Sequence, residues 1–175
     1  CALPISFAFM LEGASGFGTP VAIAAPILVG IGFKPMQVVM LALVMNSVPV
    51  SFGAVGTPTW YGFKTLLDSG TIGGEDVSSI GKYSALIHFV AAFVIPILAL
   101  RFIVSWKEIK QNILFILLSV LSCTVPYLLI AQFNYEFPSL VGGAIGLFVS
   151  VLLAGKGIGL TKTEQKKEKQ PIAAK

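Results

Sequence analysis

Apolar residues run in blocks along this chain, and the blocks come in two lengths. Residues 84–105, 113–133 and 138–154 are nearly free of charge over long stretches. About 20 such residues cross a hydrocarbon core of ~30 Å, and the third block is close to the minimum. Pro96 and Pro126 fall inside the first two blocks, which a membrane bundle tolerates because neighbouring helices re-satisfy the freed backbone. Before residue 84 the pattern changes. Residues 1–11 and 20–32 are apolar for about 11 and 13 residues, so each helix would be only roughly 16–20 Å long, too short to cross. Such lengths predict a re-entrant hairpin over residues 1–32 that turns at residues 13–19 in mid-membrane. Residues 36–48 read as helix, 49–58 are rich in breakers, and 59–67 resume the helix. That pattern predicts one crossing helix, 36–67, unwound in its middle. A continuous, kinked span through residues 1–32 is the competing topology.

Composition makes the solvent partly lipid. Of the 175 residues 55% are hydrophobic and 11% charged, with mean hydropathy +0.88, whereas a soluble domain carries about 25% charge. The first residue is a Cys within an apolar run, with neither Met nor a basic leader, so we read the chain as an internal piece of a longer polypeptide. Cys1 and Cys123 have neither metal-ligand nor disulfide-framework spacing. The net charge of +4 gathers at the end, in Lys156, Lys162, Lys166, Lys167, Lys169 and Lys175. No aromatics interleave with these lysines, so a nucleic-acid stacking platform is excluded. Arg101, Lys107 and Lys110 lie between the first two long blocks, two crossings from the lysine-rich tail. The positive-inside rule puts both regions in the cytoplasm and the acidic 64–82 loop outside. The expected organisation is a transmembrane domain, 1–155, followed by a basic cytoplasmic loop, 156–175.

The breakers carry the candidate chemistry. Irregular backbone survives in a bilayer only inside protein or beside a water-filled cavity, because each unpaired polar group costs several kcal/mol. The stretch Glu12-Gly13-Ala14-Ser15-Gly16-Phe17-Gly18-Thr19-Pro20 and the later Asn46-Ser47 … Ser51-Phe52-Gly53-Ala54-Val55-Gly56-Thr57-Pro58 both combine glycines with polar residues and end in Gly-Thr-Pro. Gly13, Gly16, Gly18, Gly53 and Gly56 allow left-handed turns and close ligand approach. Thr19 and Thr57 are candidate N-caps, with Pro20 and Pro58 in the first turn. Half-helix N-termini and turn N–H groups attract a carboxylate, and paired broken helices point to a transporter's site. Ser15, Asn46, Ser47 and Ser51 are candidate substrate contacts. Glu12 is the sharpest residue, since an ionised carboxylate at bilayer centre costs about 2.5–3.5 kcal/mol on insertion scales. A proton, a cation or turn N–H groups would relieve that cost, so proton coupling and hairpin capping both stay open for it. Gly142, Gly143 and Gly146 read as helix-packing residues. His88 reads as interfacial packing, and Arg101 as a snorkelling cation.

Enzymatic chemistry is not expected. The sequence holds no catalytic triad, carboxylate pair or metal-spaced His/Cys cluster. The glycine-rich stretch lacks the Gly-Lys-Ser/Thr ending of a phosphate loop. No cofactor is therefore expected.

The stretch from Phe7 to Thr59 resembles the bacterial L-lactate permease family. The likeness rests on Glu12-Gly13-Ala14 … Gly16-Phe17-Gly18 … Pro20-Val21-Ala22-Ile23 and on Asn46 … Pro49-Val50 … Phe52-Gly53-Ala54 … Gly56 … Pro58. It implies a multi-pass symporter of the bacterial inner membrane that takes up L-lactate, and also D-lactate and glycolate, with protons. It also implies kinship with inverted-repeat transporters in which a re-entrant hairpin and an unwound helix form one half-site. The expectation is thus an all-α membrane protein, one half of an inverted repeat, with Glu12 as proton carrier. The partners would be a small monocarboxylate and membrane lipid. A different organic anion, sodium coupling and a non-transporting membrane scaffold are the alternatives.

Overall fold

Glycines and prolines set most of the helix boundaries. In the computed structural model, which describes residues 3–161, the apolar blocks form helices α1 (Leu3–Ser15), α2 (Thr19–Gly30) and α3 (Pro35–Asn46). A 3-10 turn, Val50–Phe52, then leads into α4 (Gly53–Asp68). The chain continues through α5 (Gly74–Leu100), α6 (Trp106–Gln111), α7 (Ile113–Ala131) and α8 (Pro138–Lys156). The described residues contain no strand. Prolines open α3 and α8, where the missing N–H costs nothing and φ is already helical. Pro96 and Pro126 lie within α5 and α7, which continue through them.

Three helices, α5, α7 and α8, are long and apolar enough to cross a membrane, and α3 and α4 together make a fourth, bent by 69° at the break. The bend falls where the breakers predict an interruption, and by length and composition the pair fits either a broken span or a re-entrant loop. On α5, Ile87, Val90, Val94 and Leu98 are exposed. Apolar side chains left uncovered in a row along such a helix suit lipid, not water. The span expected over 84–105 differs at both ends. Its helix starts at Gly74, where the Asp76 carboxylate accepts from the Gly73 N–H at 2.8 Å, and stops at Leu100. A polar helical extension leaves no hydropathy signal. Residues 101–105 turn instead into α6, which a Ser105–Glu108 capping box starts: Ser105 N–H donates to Glu108 Oε2 at 2.8 Å and Glu108 N–H to Ser105 Oγ at 3.3 Å.

Packing centres on α8, held between α7 and α1. A Cβ at Gly142 would lie 2.8 Å from the Cys123 carbonyl oxygen on α7, and one at Gly146 would lie 2.6 Å from Cys123 Cβ. On the other face, a Cβ at Gly143 would strike the Met10 backbone, and one at Gly13 the backbone of Leu140. The glycines of α8 thus close both seams, as read from the sequence. Ser6 and Ser150 hydroxyls meet at 3.2 Å in the same seam. The pairs 13 with 140, 10 with 143 and 6 with 150 make α1 antiparallel to α8. Asn112, buried between α6 and α7, donates to the Glu108 carbonyl and accepts from the Thr161 N–H at 3.0 Å. It pins the chain after α8 to the α6–α7 corner, so Lys107, Lys110 and Lys156 share one end of the bundle.

Candidate functional site

Two turns of unusual backbone meet beside α8. Between α1 and α2, Gly16, Phe17 and Gly18 have φ of 61°, 50° and 84°. In the first turn of α4, Ala54, Val55 and Gly56 have φ of 44°, 54° and 73°. Each run of three left-handed residues is followed by Thr-Pro and a fresh helical stretch. The echoed Gly-Thr-Pro is therefore an echo of backbone shape. Left-handed φ costs an ordinary residue roughly 1–2 kcal/mol, and three of these six are not glycine. The turns also touch at equivalent positions: a Cβ on Gly16 would lie 2.8 Å from Ala54 Cβ.

Glu12 sits where these turns converge. It is 1% exposed. Its carboxylate lies against Gly53, where a Cβ would come within 2.5 Å of Oε1. The backbone of Gly18 lies close enough to the carboxylate to favour its charged form, whereas Oε2 is buried without a partner. The first break thus supplies the acid, and the second supplies the wall. Burying a carboxylate with one oxygen unmatched is costly. A proton on Oε2 removes the buried charge, the larger part of that cost, and a cation beside it would pair it.

The structure draws some expected residues together and separates others. Glu12, Gly16, Gly18 and Gly53 share this junction. Gly13 is taken up by packing on α8, and Gly56 packs against Tyr135 and Glu136 in the α7–α8 turn. Ser15 and Ser47 are exposed, the latter donating to the Val44 carbonyl at 2.7 Å. Thr19 and Thr57 do not cap: α2 is preceded by left-handed Gly18 with no side-chain cap, and Thr57 donates to the Ala54 carbonyl at 2.5 Å. Asn46, at the end of α3, has a buried Oδ1 without a partner. The packing partners place the two breaks relative to α8. Gly13 faces Ser139–Leu140 and Gly56 faces the turn before α8, so both breaks lie level with the first turn of α8. The antiparallel glycine seam between α1 and α8 fixes that height.

A second set of polar residues was missed. His88, expected in interfacial packing, is half-buried on α5. Its Nδ1 is 2.6 Å from the Tyr127 hydroxyl on α7, and its Nε2 is 3.5 Å from Ser51 Oγ. Tyr127 is fully buried among Phe9 and Phe52, with ring centroids 5.9 and 5.4 Å away. Thr59 donates to the Ser51 carbonyl at 2.6 Å. Ser51 and Thr59 open on a cavity of about 250 Å³ between α4 and α5, completed by Pro58, Gly62, Phe63, Ile80, Gly81 and Ser84. A lone His and a Tyr, 39 residues apart, leave no local pattern. Two uncharged hydrogen-bonding side chains inside apolar spans were the available signal. Among the described residues no cluster of His, Cys, Asp or Glu is placed to hold a metal.

Membrane-length helices around two touching breaks, with a buried acid between them, define a polytopic α-helical membrane protein of the permease type. The chain belongs to the L-lactate permease family, whose model matches residues 2–175. A Haemophilus influenzae protein named "Putative L-lactate permease" is 61% identical over 169 residues, 97% of this chain and 31% of that protein. The L-lactate permease of Halalkalibacterium halodurans is 41% identical over 133 residues, covering 75% of this chain and 25% of that protein. Glycolate permease GlcA of Escherichia coli is 38% identical over 107 residues, or 61% and 18%. The chain therefore spans about a third or less of the length of these curated relatives. No solved structure matches it. The family model and these relatives are all described as permeases.

Proposed function

We propose that this chain contributes one half-site of a secondary transporter that takes up L-lactate, D-lactate and glycolate with protons across the bacterial inner membrane. The other half-site comes from an inverted repeat outside the chain. The substrate carboxylate is held by turn N–H groups around Gly16–Gly18 and Gly53–Gly56, at the start of two helical stretches where the backbone dipoles favour an anion. Asn46 stands beside it. Glu12 carries the proton, and no other cofactor takes part. The basic end of the bundle and the tail 156–175 lie in the cytoplasm.

The observation that carries this reading is the buried Glu12 with Oε2 unpartnered, set between two breaks. A group so placed is neutral when protonated and strongly disfavoured when charged and alone. Loading and unloading a proton there changes the local charge beside the anion. The names of the lactate and glycolate permease relatives supply the substrate class.

The test is Glu12→Gln in the full-length permease, reconstituted in vesicles. Glutamine keeps the shape and removes the titration. Lactate exchange at equal pH is expected to persist, and uptake driven by a pH gradient to fall to background. Full gradient-driven uptake by the variant would sink the proton role. Uptake that follows a sodium gradient instead would establish the alternative coupling.

A further inference from the structure

We propose that the cavity between α4 and α5 is a recognition pocket for the carboxylate substrate, with Ser51 as its donor and the His88–Tyr127 pair as positioning residues. This inference rests on the transport reading above and adds a site that the paired breaks do not include.

The argument starts from the one polar atom of Tyr127. Its hydroxyl is fully buried, and its hydrogen-bond partner is His88 Nδ1, at 2.6 Å. If Nδ1 carried the ring proton, the tyrosine O–H would have no acceptor, and a buried donor left unmatched costs about 1–3 kcal/mol. The tyrosine therefore donates and Nδ1 accepts. In a neutral imidazole the proton is then on Nε2, which faces Ser51 Oγ at 3.5 Å. Ser51 accepts from the histidine, so its own O–H is left to donate elsewhere. Thr59, which spends its proton on the Ser51 carbonyl, is not a competing donor. Ser51 lines the cavity, so its hydroxyl hydrogen is free to turn into it and donate to a ligand there.

The walls specify the ligand. Pro58, Phe63 and Ile80 are apolar, Gly62 and Gly81 leave room, and Thr59 and Ser84 add hydroxyls. A volume of about 250 Å³ suits a small molecule with a carboxylate or hydroxyl to accept from Ser51 and a short alkyl group to lie on the apolar wall. Lactate has both ends.

Radiolabelled lactate uptake by full-length permease variants in vesicles tests this. Ser51→Ala and Tyr127→Phe should each raise the half-saturation concentration about tenfold, the value of roughly one net hydrogen bond, with maximal rate within about twofold of wild type. Ser51→Thr keeps the hydroxyl and should stay near wild type. Gly62→Leu fills the cavity from a position where an added Cβ meets nothing within 4 Å, so it should block uptake while the protein stays folded by size-exclusion chromatography. If wild-type protein takes up lactate while Ser51→Ala and Gly62→Leu leave the half-saturation concentration unchanged, the pocket is refuted and the transport reading stands. No uptake by the wild type overturns the transport reading, and this inference with it.

Discussion

Gly143 offers the sharpest test of how the bundle holds its site. Its Cα side faces the Met10 and Phe9 backbone of α1. Alanine there puts a methyl onto peptide atoms, which no rotamer change relieves. The helices must part, and the cost should reach the upper end of the ~1–3 kcal/mol range for overpacked cores. Gly155, in the same helix, is the internal control, since an added Cβ meets nothing within 4 Å. There alanine only restricts the unfolded chain and should stabilise by about 0.5–1 kcal/mol. In a permease about three times this length the shift is below ~2 °C per kcal/mol, so Gly143→Ala should melt up to roughly 6 °C below wild type and Gly155→Ala up to about 2 °C above it. Heating fluorescently tagged permease in detergent, followed by size-exclusion chromatography, reads both midpoints. The same sign of shift in both variants, or a Gly143→Ala midpoint at the wild-type value, would refute the backbone-on-backbone seam.

Two further predictions concern single groups. Phe17 is 80% exposed and left-handed between two left-handed glycines, so Phe17→Gly should relieve strain and leave the midpoint unchanged or raised by up to ~1 kcal/mol in stability; a lowered midpoint would mean that the ring has a packing partner. Ser6→Ala and Ser150→Ala should each cost about 1–2 kcal/mol by stranding the other hydroxyl, while the double variant should return close to wild type; simple additivity in that double-mutant cycle would show that the 3.2 Å contact contributes nothing.

Much of this architecture was legible because lipid forbids loose backbone. Segment length separated α1 and α2 from the long helices, and the breakers at 49–58 marked the bent pair. The glycines of α8 were readable as packing because no polar residue accompanies them as a ligand contact. The level of the breaks along α8 was not readable. It depends on the register of α1 against α8, which Gly13 and Gly143 set only once the two helices are side by side. That same contact removes Gly13 from the expected substrate residues. Helix α6 left a local mark in Ser105-Trp106-Lys107-Glu108, a capping-box pattern that a search for apolar blocks passes over. The His88–Tyr127 pair left none, since it joins two helices at positions unrelated by any local spacing.

The absence of a side chain at Gly53 has a mechanical consequence. The carboxylate of Glu12 belongs to one break and its covering surface to the other. The acid stays dry only while the two turns lean together, Gly16 on Ala54. Any motion that draws the hairpin tip away from the bent helix lifts the lid from Glu12 in the same stroke. Separation of the turns and exposure of the acid are then a single variable, and a probe of distance across Gly16 and Ala54 would also report when the acid meets water.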